Sequence, residues 1–87
     1  MLTHHFTDTE DGEIHSGYWT DDNGQRIVAW IWDSEQAVVV MTCGLHRRNH
    51  DVSSLSPEPL TQQKLRERLP RLALAYAEET NQKRYDV

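Results

Sequence analysis

The residues best suited to chemistry sit at the middle of the chain, where Cys43, His46, His50 and Asp51 spell C-x2-H-x3-H-D. Thiolate, imidazole and carboxylate are donors that zinc accepts. The run stands alone, without a second cysteine pair or a strand-turn knuckle to complete a tetrahedral set. No metal or other cofactor is expected, and Cys43, His46 and His50 are the candidate ligands the pattern offers. His4-His5, near the first residue, is a sparser hint of the same kind.

A nucleophilic role would pair Cys43 with His46 or His15, because cysteine catalysis needs a nearby imidazolium or a helix N-terminus to hold the thiolate. Cys43 ends an apolar run, where a cysteine packs as a small inert residue. The adjacent carboxylates Asp21-Asp22 and Glu78-Glu79 fall at a turn and on a helix surface, and so read as solvated groups rather than an acid-base pair. No catalytic motif emerges, and the chain is not read as an enzyme.

Five cations, Arg47, Arg48, Lys64, Arg68 and Arg71, form a candidate anion-binding or nucleic-acid patch on a loop and a helix flank. The formal net charge is −5, whereas a duplex binder carries a positive balance over the whole domain. Residues 1–36 hold eight acids against Arg26 alone. Turn chemistry accounts for most of them, since Asp suits tight turns. A nucleic-acid mimic needs a denser negative surface than eight turn acids supply.

The elements that position these groups are organised around Arg26–Cys43, R-I-V-A-W-I-W-D-S-E-Q-A-V-V-V-M-T-C, which reads as two apolar strands and a turn. With the turn at 33–36, Trp30 meets Val39 and Val28 meets Met41. Asn23-Gly24 is the pair favoured in two-residue type I′ hairpins. It sets Glu13–Thr20 against the 26–33 strand, with Gly17 opposite Trp30 and His15 opposite Trp32. Gly17 has no side chain, so the Trp30 ring can lie over its backbone. Leu2–Thr7 is a candidate first strand, closed by a turn at 8–12.

Past Gly44 the apolar pattern stops, and 44–56 reads as a polar loop. Ser56-Pro57-Glu58-Pro59 is a helix start, with Ser as N-cap and Pro in the first turn. Leu65, Leu69, Leu72 and Tyr76 then form one helical stripe, with Leu74 opposite. Pro70 lies off the stripe and predicts a kink rather than an end, although two helices meeting at Leu69-Pro70 fit the same residues.

The expected fold is α+β. A four-stranded antiparallel meander, with Leu2–Thr7 as its first strand, occupies 1–43; a loop spans 44–56, a long kinked helix 57–83 and a frayed tail 84–87. All 87 residues make one domain, since a chain this short supports one core. Both meander faces are apolar: Trp19, Trp30, Trp32, Val28, Val39 and Met41 on one, Tyr18, Ile27, Ala29, Ile31, Val38 and Val40 on the other. One helix covers one face. The aliphatic face, with its smaller side chains, is its expected seat.

That leaves three indoles open, each able to bury about 150–250 Å². Trp19, Trp30, Trp32, Met41 and Leu74 are therefore the candidate interface residues. The expectation is a small non-enzymatic interaction or regulatory protein, closed over its tryptophans by a protein partner or as a homodimer. A monomer with the N-terminal strand and loop 45–56 folded over the tryptophans is the competing arrangement. A nucleic-acid-associated regulator is the alternative function, and a small enzyme or metal-binding protein the third. No membrane span is present by length, no leader is read at the N-terminus, and the lone cysteine suggests a reducing, cytoplasmic setting.

Overall fold

In the computed structural model, residues 1–10, 13–52 and 61–85 are described, with side chains at 1–7, 13–52 and 61–80. They form five antiparallel strands in one open sheet and a C-terminal helix packed on it, an α+β fold. The strands are β1 (Thr3–Glu10), β2 (Glu13–Thr20), β3 (Arg26–Asp33), β4 (Val38–Cys43) and β5 (His46–Asp51), ordered β1-β2-β3-β4-β5. The helix is α1 (Gln62–Tyr85).

β2 follows the boundaries and most of the register that its alternation predicts: Gly17 pairs with Trp30, Tyr18 with Ala29 and Trp19 with Val28. The turn differs. Gly24 alone is left-handed, at φ 76°, and its N–H donates to the Asp21 carbonyl at 3.0 Å. This is a type I turn closed by a glycine bulge, in place of type I′. Asp21 selects it, because its Oδ1 accepts from the N–H groups of Asn23 and Gln25, both at 2.9 Å.

The β3–β4 register is slipped by two residues from the expected one, pairing Trp30 with Met41 and Trp32 with Val39. A two-residue slip keeps every side chain on its own face. Asp33 caps the turn through N–H groups at Glu35 and Gln36, and Ala37 takes φ 52° to close it. β1 runs further than Thr7, through register shifts around Asp8. One residue of β2, His15, lies between Ser16 and Ile14, the partners of Asp8 and Thr9, and this extra residue brings Ile14 rather than His15 into the core.

Residues 46–51 are a fifth strand, which corrects the loop expected there. Gly44, at φ 61°, opens a two-residue hairpin with Leu45, and Cys43 pairs with His46. Glycine at the first of two central positions is the type II′ requirement. β5 escapes sequence reading because its six residues, H-R-R-N-H-D, carry no apolar alternation.

The helix seat is the larger correction. α1 packs on the tryptophan face, not on the aliphatic one. Ile14, Val28, Trp30, Trp32, Val39, Met41 and Cys43 of the sheet meet Leu65, Leu69, Ala73, Tyr76 and Ala77 of the helix in a single core. The bulk sits on the sheet and the small residues on the helix. Ala73 and Ala77, 0% and 2% exposed, let the helix backbone approach the indoles. α1 is one continuous helix through Pro70. Thr61 caps it, its Oγ1 accepting from the Lys64 N–H at 3.2 Å. The expected start at Ser56–Pro59 and the end of the tail lie outside the described residues. Among the described residues, no helix is long and apolar enough to cross a membrane.

Candidate interaction face

Each candidate residue now has a place. Trp30 and Met41 are 1% exposed and Trp32 is 8% exposed, all under α1. They are core residues within a single chain, which removes the reason for expecting a partner over them. Trp19 is half-buried, and its indole Nε1 donates to the Pro70 carbonyl at 2.7 Å. Leu74 is half-buried on the helix. β1 completes the aromatic wall: His4 lies edge-on to Trp19 and Phe6 and parallel to the Trp30 ring. This role of His4 and Phe6 was missed in the sequence, although their i, i+2 spacing is the signal that puts them on one face.

The cations do not gather. Arg48 is on the helix side of β5, where both guanidinium nitrogens donate to the Glu79 carboxylate at 2.9–3.0 Å and its plane lies over the Tyr76 ring. The hydrogen bonds from Arg48 to Glu79 raise the arginine pKa above its already high ordinary value. Arg48 therefore ties β5 to α1. Arg47, one residue earlier, points to the opposite face, paired with Thr42. Lys64, Arg68 and Arg71 stay on α1, on the same side of the sheet as Arg48, and Arg47 stands on the other side.

The C-x2-H-x3-H run is likewise spread out. Cys43 is buried, His46 is exposed across from it, and His50 pairs with Val39. His46 and His50 are four residues apart on a strand, about 13 Å, too far to share one ion. Among the described residues no three His, Cys, Asp or Glu side chains are grouped to hold a metal.

What α1 leaves uncovered is the aliphatic face. Cross-strand pairing arranges it in rows. Ser16, Ile31, Val40 and Asn49 form the middle row. On one side lie His5, Tyr18, Ala29, Thr42 and Arg47, and on the other Asp33, Val38 and Asp51. Ile31 is 59% exposed at the centre, with Ala29, Val38 and Val40 half-buried around it.

The border of the face is polar and ordered. The His5 ring stacks on Tyr18 at 4.9 Å, the Arg26 guanidinium lies 4.1 Å over the same ring, and His5 Nε2 is 3.1 Å from Thr20 Oγ1. Beside them is a recess of about 480 Å³ bordered by Thr3, Asp21 and Gly24. Arg26 and Arg47 therefore stand at one end of the face, with the turn acids Asp21 and Asp22 beside Arg26, and Asp33 and Asp51 stand at the other. Comparison with protein-family models, with curated proteins and with solved structures finds no match.

Proposed function

We propose that this chain is a small interaction or regulatory protein that works by protein contact through the aliphatic face of its sheet. The observation that carries the reading is Ile31, a branched apolar side chain 59% exposed in the middle of a sheet and ringed by Ala29, Val38 and Val40. A sheet face meant for water alternates apolar-in with polar-out along each strand. β3 and β4 keep apolar residues at outward positions instead. Around this centre stand Tyr18, Arg26, Arg47, Asp33 and Asp51. An apolar core with an aromatic and a polar, charged rim is the anatomy of a recognition surface. Burying what Ile31 still exposes would contribute about 1–2 kcal/mol, a substantial share of the energy of a small contact.

Immobilised wild-type protein and an Ile31→Lys variant, compared for what they retain from a native lysate, test the reading. Ile31 is too exposed for the substitution to disturb the core, and circular dichroism checks that the fold is kept. Proteins retained by the wild type and lost with Ile31→Lys are expected. An unchanged set of retained proteins would overturn the assignment of this face.

A further inference from the structure

We propose that the occupant of the aliphatic face is a second copy of this chain, docked about a two-fold axis lying between the sheets, across the strands and over the Ile31–Val40 pair. The proposal rests on the reading of that face as a contact surface and adds who the partner is and how it sits.

The argument comes from how charge is distributed about the middle row. Asn49 pairs with Val40, which pairs with Ile31. On β5, Arg47 lies two residues to one side of Asn49 and Asp51 two residues to the other, both exposed. They are thus about 6–7 Å either side of the row, by strand rise. Asp33 shares the Asp51 row through Val38, and Arg26 lies over Tyr18 in the Arg47 row.

Face-to-face stacking of two identical sheets allows two simple two-fold axes. An axis along the strands sets acid over acid and base over base, since it preserves position along each strand. An axis across the strands reverses that position and keeps the strand order. Arg47 of one copy then stands over the partner's Asp51, Asp51 over the partner's Arg47, and Ile31 packs on the partner's Ile31. Like charges facing one another across a contact disfavour it, and opposite charges fix its register. A surface whose two halves complement one another in this way is what a closed two-fold dimer requires. Asp51 also interacts within its own chain, and the scheme needs only the sign and position of its charge.

The size of the face sets the strength. Five strands about 4.8 Å apart, with six to eight residues each at about 3.3 Å rise, project to about 500 Å². This is below the ~800 Å² per partner of a standard interface, so the association is expected to be reversible and dependent on concentration.

Analytical ultracentrifugation from low micromolar to millimolar protein tests it. The dimer fraction is expected to rise with concentration and to fall with added salt. Ile31→Lys is expected to stay monomeric throughout with an unchanged circular dichroism spectrum. Leu45→Ser, which removes a fully exposed apolar residue at the β4–β5 turn outside the face, is expected to dimerise as the wild type does. Arg47→Asp and Asp51→Arg should each weaken the dimer about tenfold or more, and the double variant should recover it.

A wild type monomeric at every concentration overturns the second copy. If such a monomer still loses captured proteins on Ile31→Lys, the contact reading itself survives. If it loses none, both fall. A dimer that persists in Ile31→Lys overturns the use of this face, and a double charge reversal that fails to recover association overturns the axis.

Discussion

The indole N–H of Trp30 donates to Nε2 of His4 at 2.8 Å, so the histidine must present an unprotonated nitrogen to the most buried ring of the core. The bond fixes the neutral tautomer with its proton on Nδ1. It also fastens the edge strand β1 to the centre of the sheet, across the half-exposed Phe6 and Trp19.

A dependence of stability on pH follows. Burial first, and the neighbouring His5 second, push the His4 pKa below the ordinary 6.5. The unfolded chain then binds its proton more readily than the folded one, so this contribution is complete above about pH 6.5 and is lost as pH falls through the lower folded value. Urea unfolding midpoints measured from pH 8 down to pH 5 (about the range in which histidine titrates) should fall in the wild type. They should fall less in His4→Gln, whose amide oxygen accepts the same bond without titrating.

Gly17 is held by space. A Cβ built there would lie 2.7–2.8 Å from three atoms of the Trp30 ring, and Trp30 is locked beneath α1. Gly17→Ala is therefore expected to destabilise by about 1–3 kcal/mol, the range for overpacking. A chemical denaturation series with tryptophan fluorescence as the signal checks both the loss and the displaced ring.

Gly24 is held by conformation instead. A Cβ there meets nothing within 4 Å, but the residue sits at φ 76°. Gly24→Ala should cost about 1–2 kcal/mol, the penalty for an L-residue in that region, and Gly24→Asn distinctly less, since asparagine visits it more readily. Thermal unfolding of the pair separates backbone strain from lost contact.

Ala73 is fully buried and Ala75, two residues on, is exposed. Enlarging the first to leucine forces α1 away from the indoles and should cost about 1–3 kcal/mol. The same change at Ala75 touches only solvent and should stay within about 0.5 kcal/mol. Equal effects in denaturant midpoints would contradict the seat of the helix on the tryptophan face.

That seat shows where sequence reasoning reached and where it stopped. The division of β3, β4 and residues 16–19 of β2 into two faces was legible, because alternation fixes which side each residue takes and Asp21–Gln25 fixes a turn; the extra residue at His15, which turns Ile14 into the core, breaks that alternation and was not. The Gly17–Trp30 approach was legible from the same alternation and turn. Which face the helix chose was not. Both are apolar, and the decisive fit is between large residues on the sheet and Ala73 and Ala77 on the helix, a complementarity that no single strand displays. β5 was invisible because its side chains are polar on both sides and its hold on α1 runs through Arg48 and Glu79, far apart in the sequence. The candidate face followed from these two: once α1 takes the tryptophans, Ile31 and its neighbours are what remains.

Among the described residues, β1 and β5 are the two margins of the sheet. Irregular pairing near Asp8 breaks the line of β1, and β5 lines the far margin with Arg47, Arg48 and Asp51. Kinks and charged side chains of this kind discourage strands from adding end to end into fibres. Lateral growth is thus disfavoured on both flanks, and raising the concentration of this chain should yield discrete particles rather than polymer.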